Sequence, residues 1–292
     1  MNAERRRLLN RPILLAIPIL IGLFITRSPL LMTSTAPMPN RPWADAPLHL
    51  ITTPQFETKR TDIFATGATH MALLHNAIFR GYNSVYQQAP HVRDVDTADF
   101  IGYALTWHKF VKSHHDDEEA SLFTKVEDVL GDKTIWAETH KEHEAFLPGL
   151  AEFERYLTSL RSPKDFSGTE LQRIMSSFQE PFETHFHSEI STIAALADHP
   201  NAPKPGSPEE AAASQTFKTW GKSTVTKAGT LDVVPFFLLN LDGTVEDGMW
   251  ANWPPIPAPI KWGLVNIAGA YHNRWWKFSS CAGGKPRQLY AV

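Results

Sequence analysis

The chain has 292 residues, 42% hydrophobic and 20% charged, which suits one sizeable core with appendages or at most two domains. Its 28 Lys and Arg against 31 Asp and Glu give a formal net charge of −3, so no basic excess is present to hold a polyphosphate backbone, and no nucleic-acid partner is expected. One cysteine, Cys281, rules out an internal disulfide framework, a cysteine zinc site and an iron–sulfur cluster. Any metal must therefore be held by carboxylates and by members of the set of 13 histidines.

Residues 1–32 open with Arg5, Arg6, Arg7 and Arg11, followed by an apolar run from Ile13 to Ile25 that Arg27 closes. The run falls short of the ~20 residues a helix needs to cross a bilayer core, and Pro12 and Pro18 interrupt it. A basic start before a short apolar stretch predicts a signal peptide or signal anchor, with membrane association through residues 12–32 and entry to the secretory pathway. An arginine-rich organelle-targeting sequence is the alternative. No small-residue cleavage site is evident, since Pro37 comes directly after Ala36, and no Asn-x-Ser/Thr sequon occurs.

Residues 33–58 carry Pro37, Pro39, Pro42, Pro47 and Pro54 and read as an extended tether. From 59 to 198 prolines are few and apolar residues recur at helical spacing. Four helices are predicted, over about Thr61–Gln88, Thr97–Leu130, Lys133–Leu160 and Thr169–Asp198. Gly131 is the expected C-cap of the second and Thr169 the N-cap of the fourth. Long helices with short connections predict an all-α fold, an antiparallel up-down-up-down four-helix bundle. Residues 199–215, rich in Pro, Ala and Ser, read as a linker. Residues 216–292 form an irregular extension rich in Trp and Pro, in which Val233–Leu241 looks strand-like and Asp242-Gly243 forms a turn. Trp250, Trp253, Trp262, Trp275 and Trp276 suggest that this extension packs on the bundle.

A helix turns ~100° per residue, so each histidine can be placed against its own apolar stripe. Around His75, Ala68, Met71 and Phe79 lie within ~40°, whereas His70 is ~140° away. The second helix carries His114-His115-Asp116-Asp117-Glu118-Glu119. Trp107, Val111 and Phe100 lie within ~60° of His114, and Glu118 within ~40°; His115 and Glu119 fall ~100° and ~140° away and read, with Asp116, as a solvated face. On the third helix His143 lies among Trp136, Phe146, Leu147 and Leu150, with His140 ~60° off the centre. On the fourth, His185 and Glu189 share a face with Ile174, Phe178 and Phe182, and His187 points ~160° away. Pro181, one turn before His185, predicts a kink or local break.

The outcome is one inward histidine per helix and an inward glutamate one turn after two of them. A lone buried histidine is usually a hydrogen-bonded core residue. Two buried carboxylates are harder to explain, because no Lys or Arg stands at the centre of the stripes to pair with them. Imidazole and carboxylate at i, i+4 spacing answer the conflict if cations are bound, and His75, His114, Glu118, His143, His185 and Glu189 are sufficient for two metal ions. Arg80, Tyr82 and Asn83 lie beside the first helix's inner sector, where hydrogen bonding within the fold is the favoured use.

His75-Asn76-Ala77-Ile78-Phe79-Arg80, the run from His114 to Glu119 followed by Leu122-Phe123, His143-Glu144-Ala145-Phe146 and His185-Phe186-His187-Ser188-Glu189-Ile190 resemble the haemerythrin-like, HHE cation-binding domain over about residues 60–198. The closing segment, with Val234-Pro235-Phe236-Phe237, Glu246-Asp247-Gly248 and Trp275-Trp276-Lys277-Phe278, is similar to the carboxyl extension of that family's fungal branch. The resemblance implies a bundle around a non-haem di-iron centre, with two iron ions held by the six residues named. Oxygen-carrying haemerythrins have a second histidine one turn before the position of His143. Thr139 stands there, so the ligand set is one imidazole short of the carrier pattern unless His140 substitutes.

Three functions are compatible with these features. The first is a di-iron protein that binds or reacts with O2, peroxide or NO. The second is an oxygenase or oxidase acting on a small organic substrate, with the Trp-rich extension as one wall of its pocket. The third is a bundle with a structural metal such as zinc.

Overall fold

The computed structural model describes residues 42–292; the hydrophobic segment 1–32 and the first part of the proline-rich stretch lie outside the described residues. The described chain is mostly helical. Residues 42–53 run extended along the helical body, with Ala44, Leu48 and Ile51 buried. A single turn, α1 (Pro54–Thr58), then forms where only extended chain was expected. Proline is tolerated there because it occupies N1, where no amide hydrogen is needed, and Thr53 caps the turn.

Four long helical segments come next. Asp62 opens α2 (Ile63–Gln88) by accepting from the Phe64 and Ala65 amides. The second segment is α3 (Thr97–Asp117), which continues without interruption through a wide π turn at Glu118–Leu122 into α4 (Phe123–Leu130). Gly131, at φ 64°, ends α4 in the left-handed conformation that glycine adopts without strain. The remaining two are α5 (Ala137–Ser159) and α6 (Gly168–Ala195). Ser167, two residues before the expected Thr169, is the N-cap of α6, accepting from the Glu170 amide. Helix α6 runs through Pro181 with no break. Losing one backbone hydrogen bond is tolerated where Phe178, Phe182, His185 and Phe186 are all buried on the same helix.

Around one core, α2 packs on α3 and α6, and α5 packs on α3 and α6. Tyr82, Trp107, Phe146, Phe153, Phe178 and Phe182 fill its centre. The Trp107 ring meets Phe153 at 5.0 Å, and its Nε1 donates to the Ile78 carbonyl, so the indole's polar atom is satisfied inside the apolar layer.

Beyond residue 198 two expectations are corrected. Residues 208–215, read as linker, begin α7 (Pro208–Ala228), which Ser207 caps and whose acidic first turn suits a helix N-terminus. The run from Val233 is helical, not strand-like: α8 (Val233–Leu238) buries Val233, Val234, Phe236 and Phe237 against α2, α3 and α7. A short run of unbroken apolar residues has no period to separate strand from buried helix. After α9 (Ala258–Gly263), a Lys285–Pro286 strand β2 pairs antiparallel with β1 (Cys281–Ala282). Trp276 is buried, its Nε1 donating to the Gly269 carbonyl, whereas Trp262 is exposed. Trp275 lies so close to Gly102 of α3 that any Cβ there would overlap the indole. Among the described residues no helix is long and apolar enough to cross a membrane.

Candidate metal centre

Each long helix delivers its inward histidine to the same end of the core. His75, from α2, is fully buried, and its Nδ1 donates to the Phe186 carbonyl at 3.1 Å. That bond sets the tautomer and leaves Nε2 as a lone pair, 3.0 Å from His114 Nε2 and 3.4 Å from Glu189 Oε2. His114 Nε2 also lies 2.8 Å from Glu118 Oε1. The ligating atoms of His75, His114, Glu118 and Glu189 all fall within 4.8 Å of one another, and all four residues are buried. The His-x-x-x-Glu spacing brings Glu118 over its own histidine one turn on, whereas Glu189 of α6 faces His75 of α2.

His143 of α5 and His185 of α6 meet beside this group, with their Nε2 atoms 3.1 Å apart. Each has its other ring nitrogen against a carboxylate: His143 Nδ1 donates to Glu119 Oε1 at 2.6 Å, and His185 Nδ1 to Glu142 Oε2 at 3.2 Å. Ser188 Oγ donates to the same Glu142 oxygen at 2.6 Å. Three of the four imidazoles thus carry their proton on Nδ1 and present a bare Nε2 inward.

The position of Glu119 corrects the expectation that His115 and Glu119 belong to a solvated face. Both are half-buried, and with His143 they form a second cluster whose ligating atoms lie within 4.8 Å of one another. The His115 ring meets His143 edge-on at 4.2 Å. Glu119 stands at the start of the π turn, and α5 brings His143 and His140 against its carboxylate, a contact that the periodicity of one helix alone does not register. His140 reaches this cluster too, its Nδ1 3.0 Å from Glu119 Oε1, while Thr139 is buried at the position where the carrier pattern has an imidazole. Glu142 and the Phe186 carbonyl were not anticipated. Neither leaves a periodic trace, because each acts across a helix–helix contact. Arg80, Tyr82 and Asn83 hold the fold instead, bonding to Asp242, the Met175 carbonyl and the Leu48 backbone.

The electrostatics are those of a site short of positive charge. Burial pushes the carboxyls of Glu118 and Glu189 well above the usual range, helped by Glu119 at the first and by Glu118 at the second. Burial also holds His75 well below the usual imidazole range and brings His114 down to about 4. Both Glu189 oxygens and His114 Nδ1 are buried with no hydrogen-bond partner, and buried Glu118 Oε1 meets His114 Nε2 at 2.8 Å without the alignment of a hydrogen bond. Phe186 packs on the rings of His75, His114 and His185, and Phe146 on those of His143 and His185. Such orphaned carboxylate oxygens cost several kcal/mol each unless something neutralises them. Two arrangements do so: the acids take up protons, or a cation sits among the oxygens and bare nitrogens. A mixed imidazole and carboxylate set, with its outer nitrogens anchored, fits the second.

Comparison with known proteins points the same way. Residues 66–197 match the Hemerythrin HHE cation binding domain. The chain is 32% identical over 272 residues to the dimeric xanthone biosynthesis cluster protein R11 of Cryptosporiopsis sp. (strain 8999), an alignment covering 89% of this chain and 97% of that one. No solved structure matches the chain significantly.

Proposed function

The chain belongs to the haemerythrin HHE cation-binding family, and from that premise we propose that it is a non-haem di-iron protein that binds or reacts with O2, peroxide or NO. The four long helices are read as an antiparallel up-down-up-down bundle, with residues 199–292 as an extension on it. The observation that carries the proposal is the set of buried, partnerless carboxylate oxygens facing bare imidazole nitrogens.

In this reading His75, His114, Glu118, His143, His185 and Glu189 hold two ions. Iron, when bound, supplies a redox-active Lewis acid with room for a small ligand. The protein's own part is positional. The Phe186 carbonyl, Glu119 and Glu142 orient three imidazoles, Glu118 and Glu189 supply compensating charge, and the phenylalanine shell keeps water out. Thr139, offering no imidazole, favours reaction over reversible carriage.

One observation favours a second reading, oxidation of a small organic substrate: the relative from Cryptosporiopsis is named for a xanthone biosynthesis cluster. A cleft of about 390 Å³, lined by Ser121, Lys125, Trp220 and Lys227 among others, lies beside the π turn and has an extension tryptophan in its wall. Membrane association through residues 12–32, in the secretory pathway or alternatively an organelle, completes the proposal. Fractionation of cells expressing the chain with and without residues 1–32 tests it.

An iron assay with an optical spectrum, with and without O2, is the test of the centre. Protein made under iron-replete conditions is expected to hold about two iron ions per chain and to change its visible spectrum on exposure to O2. His114→Ala and Glu189→Ala should lose both properties. Zinc in the wild-type protein would contradict the iron reading and leave a structural site, and no metal would contradict the metal centre altogether. Substrate turnover with O2 and a reductant separates the oxidase from the binding protein.

A further inference from the structure

We propose that His115, Glu119 and the outer nitrogen of His143 form a cation port, with His140 at its mouth, where a divalent metal ion is captured before it passes to the buried group. The proposal rests on the metal-centre reading above and adds a route to it.

Exposure falls steadily from the rim inward. The inner ligands are closed off, with Glu118 side chain 1% exposed and Glu189 and His75 fully buried. The rim is graded: His140 side chain is 49% exposed, Glu119 34% and His143 3%. Ligating atoms track that gradient in an unbroken series. His140 Nδ1 lies 3.0 Å from Glu119 Oε1, which lies 2.6 Å from His143 Nδ1, and His143 Nε2 lies 3.1 Å from His185 Nε2. The His143 imidazole spans the two: holding the captured ion on its outer nitrogen, Nδ1, places its proton on Nε2, where His185 Nε2 accepts it, and the proton returns to Nδ1 and Glu119 once the ion has moved inward.

The donor set suits a cation. His115, Glu119 and His143 bring three ligating atoms within 4.8 Å of one another, and His115 Nδ1 is buried without a partner. Asp116 and Glu119 add negative potential at His115, which draws a cation to the rim and not an anion. Glu119 stands inside the π turn at Glu118–Leu122. Such turns recur where function requires a side chain out of helical register.

The test monitors Co2+ uptake by the full-length, chelator-stripped protein, reading the visible cobalt band by stopped flow. No iron and no O2 enter the experiment. His115→Ala is expected to slow uptake about tenfold or more, the scale on which groups behind a metal ligand act, while the end-point cobalt per chain is unchanged. His115→Gln, which keeps a polar side chain, repeats the measurement should the alanine variant fold poorly. Uptake at the wild-type rate in both variants would overturn the port. An end-point reduced by one ion would overturn it too, making His115 a resident ligand. If the wild-type protein takes up no cobalt, the metal centre itself fails. If wild type and variants load alike, only the port does.

Discussion

Glu118 and Glu189 are the side chains on which the chemistry turns, and they predict how the metal-free protein responds to pH. Both fold with carboxyls raised above the usual 4.5, so the folded state holds protons that the unfolded chain releases, and stability falls as pH rises above 4.5. His75, His114, His143 and His185 are lowered below the usual 6.5, so they cost stability only under acid conditions, where the unfolded chain binds their protons. Above about pH 7.5, where the unfolded chain's histidines have also shed their protons, only the glutamates of these groups still act. Metal-free protein is therefore expected to lose stability from about pH 7.5 to 8.5, by up to about 1.4 kcal/mol per pH unit for each glutamate still protonated. Glu189→Gln should flatten that slope and metal should remove it, both read by urea denaturation across the pH series. A slope identical in the variant would mean that Glu189 is not the buried acid described. The inward side of each helix was legible because burial tracks a fixed angle: His75, His114, Glu118 and Glu189 stand on predicted inner faces, and all four are buried. Glu142 was not legible, because its role is to reach His185 from a different helix.

At the scale of the element, α5 decides that His115 and Glu119 belong to the site: it packs over a sector of α3 that the helix's own apolar stripe does not mark, which is why the periodicity assigns both to water. The four long segments were legible, within a few residues at most ends, from periodicity and capping. Val233–Leu238 was not, since unbroken apolar sequence has no phase to read. Deleting Ala120, an exposed residue inside the π turn, should restore a regular helix and shift α4 in register, taking Phe123 off the His143 ring on which it stacks. Far-ultraviolet circular dichroism is expected to stay unchanged while metal affinity falls about 10- to 100-fold. Wild-type affinity in the deletion would show that the wide turn has no part in the centre.

Across the whole molecule, the segment beyond residue 198 is tied to the helices by polar contacts as well as apolar ones. Arg80 of α2 and Asp242 form a 2.8 Å ion pair with both side chains 6% exposed. Glu246 accepts from the Thr53 amide and hydroxyl, joining the first described residues to this late segment. Such long-range pairings were not legible, because nothing local in the chain marks Arg80 or Asp242 as partners. Asp242→Ala leaves the Arg80 guanidinium buried and unpaired, and is expected to cost about 3–5 kcal/mol in thermal or denaturant unfolding. The double variant Arg80→Met with Asp242→Ala should recover much of that loss. A cost near zero for the single variant would place the ion pair in water.

The most direct measurement is an anomalous-scattering map at the iron edge, from crystals of protein purified with its metal. Peaks are predicted among Nε2 of His75 and His114 and the carboxylates of Glu118 and Glu189, and beside the Nε2 pair of His143 and His185. Strong peaks elsewhere, with these carboxylates still lacking a cation, would contradict the account.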